Sequence, residues 1–354
     1  MQMTGTPEAA TGPTSRERAL IDAACAGDER AYAELVEPHR PALRAHCYRM
    51  LGSVDDADDA VQDALLRAWR GLPRFEGRST TRSWLYRITT NACLTTIARR
   101  PKRRVLPMDL GPGADPHDGA GAPLAESAWV EPYPDERLGL ADTFAVPDAR
   151  YDQREGVELA FVAALQHLPA NQRAVLIMRE VLGFSAKESA ETLDTTVASV
   201  NSALQRARKT IDERLPERSQ QATVRALGDD AIRALVERYV AAWERNDVDG
   251  VVAMLSDDVT FAMPPNLSWF RGRPAIAAFL PTGPMSRPRR FRRVEANAQV
   301  AFGTYIWEPG LGRFRPNSIH LIDLRGPRIR AITAFLDPAV FPHFGLPGHL
   351  APDA

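Results

Sequence analysis

The stretch LPANQRAVLIMREVLGFSAKESAETLDTTVASVNSALQRAR, residues 168–208, reads as three helical segments separated by two breaks. The first closes at Gly183, a residue suited to the left-handed turn that ends a helix. Ser185 opens the second as its cap, and Glu188 three residues later completes a capping box. After Asp194–Thr196, a third segment gathers Val197, Val200, Leu204, Ala207 and Ile211 on one buried stripe. Two helices joined by a short turn, the second ending in arginines, form a helix-turn-helix pattern, and this fixes the middle of the chain as all-α.

Working back toward the N-terminus, residues 105–147 are rich in Pro, Gly and Asp and lack helical or strand periodicity, so they read as an extended linker. Trp129 and Tyr133 within it suggest that it lies against something. Before the linker, residues from about 16 to 100 are helical. In DDADDAVQDALLRAWR, residues 55–70, Ala57, Ala60, Val61, Ala64, Leu65 and Ala68 make an apolar stripe, and Asp56, Asp59 and Asp63 fall on another side. In WLYRITTNACLTTIARRPKRR, residues 84–104, Trp84, Arg87 and Asn91 project from one side of a helix, and Leu85, Ile88 and Ala92 occupy the adjoining one. An aromatic face stacks on unpaired bases, an Asn amide reads a base edge, and the cations Arg99, Arg100, Lys102, Arg103 and Arg104 neutralise phosphates.

Composition bounds the rest. A chain of 354 residues with 44% hydrophobic content is long enough for several cores. The net charge of -1 arises from 44 basic and 45 acidic residues, so any affinity for a polyanion is local. The three cysteines show no CxxC spacing and fit a reduced cytosol. His39, His46 and Cys47 lack a fourth ligand at metal-finger spacing, so no metal is expected. No apolar run reaches the ~18 residues of a membrane span, and the first residues show no hydrophobic leader core; a cytoplasmic protein is the expectation. No nucleophile with its base and no phosphate-binding glycine loop stands at usable spacing, so neither catalysis nor a cofactor is expected.

These helical motifs resemble those of the extracytoplasmic-function sigma factors of the sigma-70 family, over about residues 28–215 and in the family's order. The resemblance implies that Asp56, Asp59, Gln62 and Asp63 face core RNA polymerase, an acidic strip meeting a basic partner. It implies that the loop Phe75–Ser79 receives a flipped -10 base and that Asn91, with Trp84, Arg87 and the arginines after it, contacts the melted strand. The third helix of the opening stretch would enter the major groove at the -35 element, with Ser199, Asn201, Ser202 and Gln205 reading bases and Arg206, Arg208 and Lys209 on phosphates. Asn201 and Ala203 stand where the family usually has Lys and Arg, which shifts base reading toward the Asn201 amide. By the same resemblance the linker threads along the polymerase cleft.

Beyond a polar joint the pattern changes to a helix, DDAIRALVERYVAAWERND, and then strand-like runs near residues 291–305, 315–324 and 328–336, an α+β arrangement. This part resembles the SnoaL-like (NTF2-like) domains, cones with an apolar pocket. Tyr239, Trp243, Met254, Phe261, Trp269, His320 and Phe335 are the expected lining. His320 and Asp323, three apart on one strand, point to opposite faces unless a bulge intervenes. The expected architecture is thus multidomain. A disordered N-terminus, 1–15, precedes a helical unit, 16–104, and the linker, 105–150. A helix-turn-helix unit, 151–216, leads through a joint, 217–227, to the α+β cone, 228–345, and a tail, 346–354. The expected function is a sigma factor that binds core RNA polymerase, reads duplex -35 and melted -10 DNA, and is modulated by its last domain through a small ligand or an intramolecular contact. The alternatives are a stand-alone helix-turn-helix regulator and a SnoaL-type enzyme fused to a DNA-binding arm.

Overall fold

Helix α4, Val54–Gly71, sets the pattern for the N-terminal unit. Ser53 caps it by accepting from the Asp56 amide, and Ala57, Ala60, Val61, Ala64, Leu65 and Ala68 are all buried, as the stripe predicts. The computed structural model describes residues 12–99, 103–124, 129–138 and 154–352. Around α4 stand α1 (Ser15–Cys25), α2 (Glu29–Val36), α3 (Arg40–Leu51) and α5 (Thr81–Arg99). The second helical unit comprises α6 (Leu159–Gln166), α7 (Ala170–Leu176, continued by a π-turn to Val181), α8 (Ala186–Thr192) and α9 (Val197–Asp212). The Ser185–Glu188 capping box forms at α8, and Gly183 has φ +70°. One detail differs: Val197 is 43% exposed, and Ala203 takes its place on the buried stripe, because the first turn of α9 projects beyond the packing surface.

The segment read as a joint contains α10 (Gln220–Leu227), and α11 (Asp229–Glu244), α12 (Val248–Ala253) and α13 (Arg273–Thr282) follow. The last domain holds one six-stranded sheet, in the order β2-β1-β6-β5-β4-β3. Its strands are β1 (Leu255–Ala262), β2 (Trp269–Arg271), β3 (Arg289–Ala296), β4 (Gln299–Glu308), β5 (Arg313–Arg325) and β6 (Arg328–Phe335). All neighbours are antiparallel except β1 and β6, which pair in parallel. The run 291–305 therefore holds two strands, joined by a tight turn at Asn297 and Ala298 with φ of 53° and 52°.

The two faces of this sheet pack against different things. One face, with Phe261, Phe302 and Ile322, covers α11 and α13 in a core of its own. The other, with Tyr305, Ile319, Leu321 and Phe335, joins a second core that runs without interruption through both helical units. The described stretches of the linker are fixed to these bodies. Ala114 and Leu124 donate backbone bonds to Trp269 and Pro265 (2.8 and 2.9 Å), and Val130 and Tyr133 have no exposed surface.

Candidate polymerase and nucleic-acid interface

The acidic strip of α4 divides into a tied half and a free half. Asp56 pairs with Arg104 at 2.6 Å, and the same guanidinium reaches Glu131 of the linker at 2.9 Å. Asp58 pairs with Arg44 and Arg137 at 3.2 and 3.0 Å, and Asp55 stands 3.5 Å from His343 of the C-terminal turn. Farther along, Asp59, Gln62 and Asp63 are exposed, the last pairing only with its helical neighbour Arg67 at 2.6 Å. Leu66 continues this face one turn on and is 51% exposed, a candidate contact residue the sequence reading passed over. Its signal was the pair Leu65–Leu66, where the buried stripe needs only one leucine.

On the melting segment, Phe75 and Trp84 stack at 4.7 Å between ring centroids and are each half-buried, whereas Arg87, Asn91 and Arg99 are exposed. Ser79 is half-buried and Arg103 exposed. Arg104, expected on phosphates, is instead held by Asp56, Glu131 and the Trp129 carbonyl, because desolvated acids surround it. Arg100 and Lys102 lie outside the described residues. The inner side of α5 is not free either. Arg82 donates to the Leu182 carbonyl at 2.9 Å and lies 4.6 Å from the Phe184 ring, and Tyr86 meets Phe184 at 5.5 Å, all in the second helical unit.

The recognition helix contrasts with this. Ser199, Asn201, Ser202, Gln205, Arg206, Arg208 and Lys209 are all exposed on α9, with only Arg208 engaged by an acid, the buried Glu180.

Where the bodies meet, one side chain joins three of them. Asn297, in the β3–β4 turn, has no exposed surface. Its Nδ2 donates to Tyr48 Oη of α3 and to the Val157 carbonyl ahead of α6, both at 2.8 Å. Its Oδ1 accepts from the Tyr133 amide of the linker, also at 2.8 Å. Next to it, Ala298 donates to Asp135 (2.8 Å) and Gln299 accepts from the Leu159 amide (2.8 Å). Glu158 caps α10 by accepting from the amides of Gln220 and Gln221 at 3.0 and 2.9 Å. Burial pushes the Asp135 carboxyl up to about 6 and that of Glu158 up to about 7, against the hydrogen bonds that favour their charged forms.

The expected pocket is filled. Tyr239, Trp243, Phe261, Phe302 and His320 are each at most 2% exposed and pack ring on ring, with the Tyr239 hydroxyl 3.3 Å from His320 Nδ1. Burial lowers His320 to about 3, so its ring is neutral. Met254 joins this core, but Trp269 turns out to the linker and donates to the Gly111 carbonyl at 3.0 Å, and Phe335 faces the helical units. The parity argument for His320 and Asp323 holds: Asp323 pairs with Arg330 on the opposite face. There a cleft of about 510 Å³ opens between the sheet, α6 and the linker, lined in part by Met108, Ala163, His167, Arg271, Asp323 and Arg330. Among the described residues, no group of His, Cys, Asp or Glu is placed to hold a metal ion, and no helix is long and apolar enough to cross a membrane.

Comparison with known proteins identifies the units that carry these residues. Residues 35–103 match the family model Sigma-70 region 2, residues 158–211 match Sigma-70 region 4, and residues 236–332 match the SnoaL-like domain. The ECF RNA polymerase sigma factor SigG of Mycobacterium tuberculosis is 41% identical over 337 residues, covering 91% of this chain and 86% of that protein. The sigma-E factor of Escherichia coli K12 is 27% identical over 199 residues, 56% of this chain and 94% of its own length. The crystal structure of the M. tuberculosis extracytoplasmic function sigma factor SigJ shares the fold, with a TM-score of 0.56 at 22% identity over 89% of this chain and 99% of that one. The chain belongs to the extracytoplasmic-function sigma factors, the subunits that bind core RNA polymerase and direct it to promoter DNA.

Proposed function

We propose that this sigma factor is held in a closed, transcriptionally restrained form by its own SnoaL-like domain, and that initiation requires the clasp at Asn297 to open. The carrying observation is that one fully buried amide bonds to region 2, the linker and the start of region 4 together. Promoter geometry gives that clasp its consequence. Elements named -35 and -10 lie about 25 base pairs apart, roughly 85 Å of duplex at ~3.4 Å per pair. Helix α5, the melting helix, here touches region 4 directly through Arg82 and Tyr86, so the two units in this arrangement do not reach both elements. Glu131 reinforces the restraint by tying Arg104 and Asp56, one assigned to DNA and the other to polymerase, into a single network.

In the opened form, Asp59, Gln62, Asp63 and the exposed Leu66 dock on polymerase, Phe75, Trp84, Arg87 and Asn91 take the melted -10 strand, and α9 reads the -35 duplex. Work on polymerase puts the protein in the cytoplasm. The last domain acts as a clamp rather than an enzyme, a reading supported by the neutral His320 and the ring-filled interior around it. The test is run-off transcription with core polymerase, comparing the wild type with Asn297→Gly. Glycine keeps the left-handed backbone at this turn and removes only the three side-chain bonds. More transcript from the variant, with a larger radius of gyration in solution scattering, is expected. Equal transcript from a variant that has demonstrably expanded would sink the restraint.

A further inference from the structure

Strand β3 opens within the run RPRRFRR, residues 287–293, five arginines in seven residues without an acid. It is the terminal strand of the sheet, so no other strand covers its outer edge. Among the described residues, the linker bridges to it at the far end, where Ala296 pairs with Pro134. The start of β5 brings Arg313 and Arg315 to the same corner, opposite Glu308 and Ile306 of β4. Two of the arginines are structural: Arg289 is buried and bonded to the Pro284 carbonyl, and Arg290 lies 4.8 Å from the Phe314 ring. Arg287, Arg293 and Arg313 are exposed and Arg292 is half-buried. Two acids stand at this corner: Glu244 of α11 accepts from the Phe291 amide at 3.0 Å, and Glu308 lies 3.7 Å from Arg287 and 3.2 Å from Arg315, so five arginines outnumber them; Glu295 lies farther along the strand.

Edge strands commonly carry a charge that discourages edge-to-edge pairing, and one or two suffice for that. This corner goes further: burial lowers the enclosed Arg289 to about 10, with Tyr239 working against the shift and Arg315 adding to it, while Arg287, Arg293 and Arg313 crowd the surface around it. An added anion offsets that clustered charge. Arginine, with its planar fork, is the side chain best matched to phosphate oxygens.

We propose that the β3 edge, through Arg287, Arg292, Arg293 and Arg313, binds the phosphate backbone of duplex DNA, giving the protein a third nucleic-acid surface beside region 2 and α9. The contact is sequence-independent and adds affinity and on-rate rather than promoter choice.

The experiment is a salt titration of fluorescence anisotropy with the full chain and a random-sequence duplex lacking both promoter elements. Each phosphate contact adds ~0.9 to the slope of log affinity against log salt, so Arg287→Gln/Arg292→Gln/Arg293→Gln should lower the slope by about 2 to 3 and weaken binding by tenfold or more at low salt. Arg233→Gln/Arg238→Gln/Arg245→Gln, which removes the same charge from α11, should leave the slope nearly unchanged. Should the edge variant unfold, Arg293→Glu at an exposed position is read in the same titration and should weaken binding with a shallower slope. An unaltered slope in the edge variants overturns the proposal and leaves the edge to an acidic protein partner. An equal drop in the α11 variant overturns it too, by reducing the effect to net charge.

Discussion

On α9 every residue assigned to the -35 element faces solvent, whereas the N-terminal unit is divided: Asp59, Asp63, Arg87 and Asn91 also face solvent, but Asp56 is spent on Arg104, Arg104 on Glu131, and Arg82 of α5 on the Leu182 carbonyl. The same chain thus leaves the face assigned to duplex DNA open and closes off part of the surface assigned to polymerase and melted DNA. The difference follows from where the buried polar bonds lie. Arg49, Gln166 and Arg173 form a polar seam between α3 and the start of region 4, including an Arg49–Gly156 bond of 3.0 Å, and Tyr48 extends it to the linker and Asn297; none of these bonds involves α9. A buried polar seam is stable only while each group keeps its partner, so it opens as a unit or not at all. On the proposed reading, restraint of this kind would act on strand opening and polymerase docking, and would spare the search for -35 sites.

The strongest way to break the contrast is at Tyr133, which is fully buried and stacks on Tyr48 at 4.4 Å between centroids. Truncating so large a buried ring costs about 3–5 kcal/mol. Tyr133→Ala should therefore lower the melting temperature and expose the linker to limited proteolysis, while leaving duplex -35 binding by α9 in place. The Tyr133 hydroxyl finds no hydrogen-bond partner among the described residues, so Tyr133→Phe should be neutral or stabilising by about 1 kcal/mol. A Phe variant as unstable as the Ala variant would mean that the hydroxyl, not the ring, holds the seam.

A second test uses pH. Asp135 and Glu158 both join the last domain to the rest, and burial raises them to about 6 and about 7. A carboxyl raised in the folded state contributes stability that is full below its ordinary value near 4 and is lost as pH rises through the raised one. The closed form should therefore tighten as pH falls from about 7.5 to 5, each group adding at most ~1.4 kcal/mol per pH unit while it titrates. His46 and His320, both held near 3 by burial, work in the opposite direction below about 6.5, so the comparison to make is between variants. Asp135→Asn/Glu158→Gln should flatten the melting profile over pH 5–7.5 relative to wild type; parallel profiles would refute the assignment.

Local signals were legible and tertiary ones were not. The α4 stripe, the Ser185–Glu188 capping box and the exposed recognition face are written in spacings of three and four residues, and the structure keeps them. The clasp was invisible because its turn is Asn-Ala rather than Asn-Gly. Ala298 sits at φ 52°, which costs a non-glycine residue ~1 kcal/mol, and bonds to Asp135 and Gln221 hold it there. One strand-like run consequently read as a single strand. The pocket residues failed for a related reason: Trp269 and Phe335 are aromatic like Trp243 and Phe261, and only the sheet's pairing decides which side of it each one joins. Glu131 carried no sequence signal at all, since its partner Arg104 is 27 residues away.

The smallest expected effect falls on the open side of the contrast, at Asn201. Its side chain is exposed on α9, so removing it should leave the melting temperature within the ~0.5 kcal/mol typical of surface changes. A bidentate amide–adenine pair is worth ~1–3 kcal/mol of discrimination, so Asn201→Ala should relax base preference at one position of the -35 element by about 5- to 150-fold. Because α9 stands outside the seam, that loss should be equal in the wild-type and Asn297→Gly backgrounds, each measured on a duplex carrying the -35 element alone. Additive effects would place -35 reading outside the clasp, whereas a larger loss in one background would show that closure reaches α9 after all and that the two surfaces are coupled.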